Sequence, residues 1–253
     1  MRGFELEELK KCTALITRLG RRRHWRGSLR ALAELWPRGV RPDVVVRSAA
    51  VGACAQGQQW ALALGIFSEM AADGIEPNVV AYGALLTACE RGREWPRALG
   101  LLGELRARAL APNVVIYSAC ISACSHGRHW APALGLLDEM RGASVPANVT
   151  TYGALVTACE RGQQWERALS LVSEMLAQFL EPSVTVCSAL ITSCEKAWQW
   201  ERALDTLSGL QQVGPRPDAI AYSAAASACE KGRQWAAPLQ LLESMREDCI
   251  LPN

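Results

Sequence analysis

The stretch "ACERGREW", residues 88–95, sets a cysteine six residues before a tryptophan across a charged link that contains a glycine. The chain repeats the pattern as "ACAQGQQW" at 53–60, "ACSHGRHW" at 123–130, "ACERGQQW" at 158–165, "SCEKAWQW" at 193–200 and "ACEKGRQW" at 228–235. A recurring cysteine can be a metal ligand, a redox centre or a piece of packing, and spacing separates the three. The tryptophans supply the period: Trp25, Trp60, Trp95, Trp130, Trp165, Trp200 and Trp235 stand 35 residues apart. Cys54, Cys89, Cys124, Cys159, Cys194 and Cys229 keep the same register, as do the leucines from Leu29 to Leu239. A fixed period without insertion predicts a solenoid in which each unit covers its neighbour's apolar face.

Seven units tile residues 9–253, as 9–43, 44–78, 79–113, 114–148, 149–183, 184–218 and 219–253, and leave residues 1–8 as an N-terminal extension. The unit 79–113 reads "VVAYGALLTACERGREWPRALGLLGELRARALAPN". Apolar residues recur at three and four from Val79 to about Arg91, which predicts a helix. Gly92 is expected to end it as a C-terminal glycine. A second helix is predicted from about Glu94 to Arg108, with Pro96 in its first turn, where a missing N–H costs nothing. Pro112 blocks continuation and Asn113 begins the turn into the next unit. Each unit is therefore a helical hairpin, with no strand signal. The sixth residue of every unit is alanine, from Ala14 to Ala224, which suggests close approach of a neighbouring backbone. One tryptophan per unit, burying roughly 150–250 Å², is expected to close the seam between hairpins.

These residues resemble the pentatricopeptide repeat family: a 35-residue hairpin opening "VVAYGALL" and closing "GREWPRALGLLGELRARALAPN", with Pro-Asn or Pro-Asp at its end. Tetratricopeptide repeats compete, but have about 34 residues and a different tryptophan position. The first unit departs most, with Arg22 in place of Gly57 and its equivalents, and Leu35-Trp36 where Met70-Ala71 stands. The resemblance implies an all-α, right-handed superhelix that binds single-stranded RNA, one base per unit. The family reads each base with the fifth and last residues of a unit and packs it against the second.

Carried onto this sequence, the reading pairs are Thr13 and Asp43, Ser48 and Asn78, Gly83 and Asn113, and Ser118 and Asn148. Gly153 and Ser183, Ser188 and Asp218, and Ser223 and Asn253 complete them. The packing residues are Lys10, Val45, Val80, Val115, Thr150, Thr185 and Ile220. Guanine offers two adjacent N–H donors, which an ionised Asp matches as an acceptor-only group; adenine offers a donor beside an acceptor, as an Asn amide does. A small hydroxyl at the fifth position leaves room for a purine. With RNA running 5′ to 3′ from the first unit, as in the family, the expected sequence is 5′-GAAANGA-3′, its fifth base open because Gly153 with Ser183 specifies none. Asn, Asp and Ser after proline are also ordinary turn and capping residues. At the thirteenth position stand Arg21, Gln56, Arg91, His126, Arg161, Lys196 and Lys231. By resemblance the basic ones, Arg21, Arg91, Arg161, Lys196 and Lys231, approach the RNA backbone; a cation favoured by the helix dipole is the other reading.

Other chemistry has little support. Net charge is +2, and residues 44–253 sum to −4 against +6 for 1–43, so bulk charge does not argue for nucleic acid. No apolar run approaches the roughly 18 residues of a membrane span. Ten cysteines without a signal-peptide pattern point to free thiols in a reducing compartment. Cys120 and Cys124 share a helix face, but no second pair or nearby His completes a zinc site. His24, His126 and His129 lie at the inter-helix links without a nucleophile. Glu90, Glu160, Glu195 and Glu230 are expected as a solvated row at helix ends. The sequence therefore predicts no catalytic centre, metal or cofactor. The basic block 18–30 follows Glu5, Glu7 and Glu8, unlike an acid-poor transit peptide; a chloroplast or mitochondrial location rests on the resemblance. The chain ends on the last residue of a unit without a polar cap, so further repeats or a protein partner are expected there. A protein-binding scaffold using the same concave face is the rival function.

Overall fold

A computed structural model of the chain describes residues 2–213, 217–234 and 236–247. Fourteen helices and no strands occur among them, so the molecule is an all-α repeat protein. It divides into two compact units that meet in sequence at Gly127 and Arg128. The first holds α1 (Arg2–Arg21), α2 (Trp25–Ala33), α3 (Val44–Gln56), α4 (Trp60–Ala72), α5 (Val79–Gly92), α6 (Trp95–Ala107) and α7 (Val114–His126). The second holds α8 (Trp130–Gly142), α9 (Val149–Arg161), α10 (Trp165–Ala177), α11 (Val184–Lys196), α12 (Trp200–Val213), α13 (Ala219–Lys231) and α14 (Ala236–Glu247). The helix α1 begins at Arg2 and runs without a break into the first repeat. Among the described residues no helix is long and apolar enough to cross a membrane.

Within each unit the first helices of successive repeats lie side by side, α1 on α3, α3 on α5 and α5 on α7, then α9 on α11 and α11 on α13. The second helix of a repeat also packs on the first helix of the next, as α4 on α5 and α10 on α11. The core sits between these layers. Residues 81, 82, 85, 86, 88 and 89 of α5 are all buried, and Ala98, Leu101, Leu102 and Leu105 of α6 face them. Polar clasps tie the two helices of a repeat: the hydroxyl of Tyr82 donates to Glu104 at 2.8 Å, and that of Tyr152 donates to Glu174 at 2.7 Å. In the repeat 44–78 an Arg47–Asp73 ion pair takes that place.

The inter-helix link differs from the sequence reading. Gly57, Gly162 and Gly232 have φ of −82°, −88° and −76°, so they are not left-handed C-terminal glycines, and Gly92 is itself the last residue of α5. The left-handed residue is the one that follows, Arg93 at φ 59° after Gly92. Glycine is needed for a different reason. A Cβ at Gly92 would stand 2.5 Å from Cδ1 of Trp60, and one at Gly162 would stand 2.1 Å from Cδ1 of Trp130. Gly57 against Trp25 and Gly232 against Trp200 give 2.5 and 2.4 Å. Each of these four tryptophans thus lies flush on the glycine of the following repeat. Two of them also carry an arginine of that following repeat: Arg97 stacks over Trp60 at 4.4 Å and Arg167 over Trp130 at 4.2 Å. The seam expected of the tryptophans is real, and its partner is the glycine. Trp235 lies outside the described residues.

Candidate nucleic-acid interface

From the second repeat onward, the second residue sits on the first turn of the repeat's first helix and points away from the core. Val45, Val80, Val115 and Ile220 are 53%, 68%, 58% and 62% exposed, and Lys10, Thr150 and Thr185 are exposed too. On the same helices the third and fourth residues, such as Ala81 and Tyr82 or Ile116 and Tyr117, are buried. A branched aliphatic side chain left in water at one register position is not explained by packing. It is a row of apolar contacts without a partner in the fold.

The last residue of each repeat is the N-cap of the next repeat's first helix. Oδ1 of Asp43 accepts from the N–H of Val46 at 2.9 Å, that of Asn78 from Ala81 at 2.9 Å and that of Asn113 from Ile116 at 3.1 Å. Asn148 accepts from Thr151 at 2.9 Å and Asp218 from Ala221 at 2.8 Å, while Oγ of Ser183 accepts from Val186 at 3.4 Å. Each side chain satisfies one of the helix's orphan donors. The cap uses one oxygen and fixes the side chain's direction. An Asn keeps its amide N–H₂, and an Asp keeps its second oxygen. Asn253 lies outside the described residues.

The fifth residue faces this cap. In the repeat 184–218 the hydroxyl of Ser188 is 2.8 Å from Oδ1 of Asp218, which brings a predicted pair into direct contact. Ser48 and Ser188 are buried and also donate to the carbonyls of Val44 and Val184. Thr13 donates in the same way to Leu9. Ser118 is half-buried, and Ser223 is exposed. At Gly83 nothing lies within 4 Å of where a Cβ would be, so the repeat 79–113 has open space there. That space belongs to a cleft of about 390 Å³ lined by Val80 and Gly83, by Asn113 and Val115, and by Gln56 of the repeat before. Two consecutive second residues thus flank a fifth and a last residue in one depression.

Three of the thirteenth-position cations, Arg91, Lys196 and Lys231, are engaged within the protein. Nζ of Lys231 is 2.9 Å from Oε1 of Glu195, and Lys196 pairs with Glu160, in each case an acid one repeat earlier. Nη1 of Arg91 donates to Oε1 of Gln56 at 2.8 Å. Hydroxyls at the ninth position join the ladder: Ser122 donates to Glu90 at 2.6 Å and Ser227 to Glu195 at 2.9 Å. The row of glutamates is therefore not simply solvated. Glu90, Glu160 and Glu195 accept from the following repeat and tie neighbours together. The spacing of 36 residues between acid and cation was visible in the sequence, but reading it required knowing that first helices lie side by side. Arg21 is exposed, and Arg161 is half-buried.

The recurring cysteines are packing. Cys54, Cys89, Cys124, Cys159, Cys194 and Cys229 are buried and free. Burial pushes the thiols of Cys54, Cys89, Cys124, Cys159 and Cys194 up to about 11, away from the thiolate that metal binding or redox chemistry needs. Among the described residues no group of His, Cys, Asp and Glu is placed to hold a metal ion. His126 uses Nδ1 against the carbonyl of Ser122 at 2.7 Å.

The pentatricopeptide repeat domain family matches residues 65–126 and 170–232, the PPR repeat family matches 112–161, and a further PPR repeat matches 150–178. The crystal structure of the pentatricopeptide repeat protein PPR10 from maize is similar over 96% of this chain and 35% of its own, at 28% identity and a TM-score of 0.70. PPR10 in complex with an 18-nt psaJ RNA element gives 20% identity and a TM-score of 0.57 over 98% of this chain and 45% of its own. The PPR domain of Arabidopsis thaliana protein-only RNase P 1, in complex with tRNA, gives 15% identity and a TM-score of 0.59, over 72% and 95% of the two chains. This chain thus spans about a third to a half of the PPR10 chains it matches. No curated protein matches it.

Proposed function

Because the chain belongs to the pentatricopeptide repeat family, we propose that it binds single-stranded RNA, one base to each repeat, and has no catalytic centre of its own. One observation carries the reading: exposed aliphatic side chains at the second position stand on either side of a fifth and a last residue, as Val80 and Val115 do about Gly83 and Asn113. A flat base between two such side chains hides its faces from water and turns its polar edge to the capping residue. The cap sets what that residue can offer. With Oδ1 held by the helix N–H, Asn78 and Asn113 present an amide donor beside a carbonyl lone pair, which fits adenine, while Asn148 presents its amide donor, its Oδ1 accepting also from the hydroxyl of Thr151. Asp43 and Asp218 present acceptors only, which fits guanine.

The proposed target is 5′-GAAANGA-3′, with the fifth base open and the third weaker for want of a hydroxyl at Gly83. Each good base contact discriminates by about 1–3 kcal/mol, so the preference is for purine-rich single strands rather than one sequence. The proposed role is to cover or mark an organellar transcript, in chloroplast or mitochondrion, for stability, processing or translation. Binding of short RNA pools tests the proposal: G- and A-rich oligomers bind tighter than pyrimidine tracts or duplex, and equal binding overturns it. The net-negative residues 44–253 favour the rival reading, a scaffold that holds a protein on the same row of valines. Salt separates the two, since binding to phosphates weakens steeply as salt rises.

A further inference from the structure

The fifteenth residue of every repeat has a left-handed backbone: Arg23, Gln58, Arg93, Arg128, Gln163, Trp198 and Arg233 have φ between 56° and 62°. That conformation disfavours any residue with a Cβ, and glycine removes the conflict. At the other left-handed place, the thirty-first residue, the chain uses glycine twice, as Gly39 and Gly74, with Ala109, Ser144 and Phe179 in the repeats that follow. At the fifteenth it never does. Strain kept at one register position through seven repeats, with long side chains retained there, points to what the side chains do.

All seven are exposed. Among the described residues the guanidinium groups of Arg23, Arg93, Arg128 and Arg233 enter no ion pair or hydrogen bond, whereas Arg91, Lys196 and Lys231 at the thirteenth position are held by the repeat before. The fifteenth position also shares a groove with the fifth. In the last repeat a groove of about 600 Å³ runs from Ser223 past Ser227 and Glu230 to Arg233 and Gln234. Trp198 stands at this place in the repeat 184–218 and is 64% exposed, an aromatic surface at the same register position as the arginines.

We propose that the chain holds the phosphodiester backbone of single-stranded RNA through its fifteenth-position arginines, with Trp198 as a stacking surface at the same place, and that the thirteenth-position cations join repeats instead. The guanidinium fork matches two phosphate oxygens, and a free, weakly hydrated arginine gives up little to make that contact. This rests on the RNA-binding reading above.

The test compares two triple variants, Arg93→Gln with Arg128→Gln and Arg233→Gln, and Arg91→Gln with Lys196→Gln and Lys231→Gln. Glutamine already stands at the fifteenth position in Gln58 and Gln163 and at the thirteenth in Gln56, so the backbone tolerates it. Binding of a G- and A-rich heptamer and a pyrimidine heptamer is followed from about 50 to 200 mM salt, with a thermal melt of each variant. The fifteenth-position variant is expected to weaken both RNAs to a similar degree and to flatten the slope of log affinity against log salt by about 2, roughly 0.7 for each lost phosphate contact. The thirteenth-position variant is expected to melt earlier and keep the slope. Trp198→Ala is expected to lose about fivefold or more in affinity without changing the slope. A folded fifteenth-position variant with the wild-type slope overturns the proposal and leaves RNA binding standing. Wild-type protein that binds neither heptamer overturns both.

Discussion

Gly92 shows how one residue type can be right for a reason that sequence pattern does not supply. A glycine after a helix reads as a left-handed terminus, yet here the following arginine takes that conformation and the glycine makes room for Trp60. Contact between residues 32 positions apart leaves no local signal; only its recurrence one repeat on, at Gly57, Gly162 and Gly232, makes it visible. Ala197 fills this place in the repeat 184–218, and Arg22 fills it in the first. Gly92→Ala puts a methyl group 2.5 Å from Cδ1 of Trp60 and should destabilise the fold by about 1–3 kcal/mol, the usual cost of overpacking. A shift of the urea midpoint without a change of slope is the expected result. Gly100→Ala, where nothing lies within 4 Å, should leave that midpoint unchanged or raise it slightly.

At the scale of the helix, the capping residues separate stability from recognition. Asn78→Ala removes the cap of α5 and should cost about 1 kcal/mol, seen as an earlier thermal melt, together with binding at the second base. Asn78→Asp keeps the cap, so the melt should hold while the preferred second base moves from adenine towards guanine. A melt that falls as far with Asp as with Ala would mean the side chain is only a cap. The first helices also carry the buried thiols. The reference thiol titrates at 9.0, and Cys54, Cys89, Cys124, Cys159, Cys187 and Cys194 are held near 11 by burial. Between those values the unfolded chain releases protons that the folded chain keeps, so their contribution to stability is complete below pH 9 and is lost as pH rises towards 11. Melting temperature should hold from pH 7 to 8 and fall from 9 to 11, and the native protein should resist thiol reagents at pH 8. Fast native-state labelling would contradict the packing role.

For the molecule as a whole, periodicity made the architecture legible. Tryptophans and cysteines at 35 residues, with Pro-Asn or Pro-Asp closing the unit, foretold paired helices, and helices begin at Val44, Val79, Val114, Val149 and Val184. The exposed second-position row could be named only through family resemblance, because a valine in a helix reads as core until its surroundings are known. The engagement of Lys196 and Lys231 lay further out of reach, because it joins repeats rather than residues of one helix. Equivalence between repeats makes a deletion informative. Removing residues 44–78 sets Trp25 against Gly92 in place of Gly57 and lets Asp43 cap α5 in place of Asn78. The shortened chain should keep its helical content per residue by circular dichroism and prefer an RNA one adenine shorter. Collapse of the helical signal would show that the repeats are not interchangeable.

The capping bonds of Asp43, Asn78, Asn113, Asn148, Ser183 and Asp218 bear on how this protein's target can change over evolutionary time. A residue that must start a helix is drawn from a short alphabet, in essence Asn, Asp, Ser and Thr. On the proposed reading, Asn, Asp and the hydroxyl pair Ser and Thr differ in the donors and acceptors they show, so a substitution from one of these kinds to another rewrites one letter of the target and leaves the scaffold intact. A substitution outside it loses the letter and weakens the fold together. Selection for a stable protein therefore also keeps every repeat able to spell something, and new specificities lie one viable mutation apart.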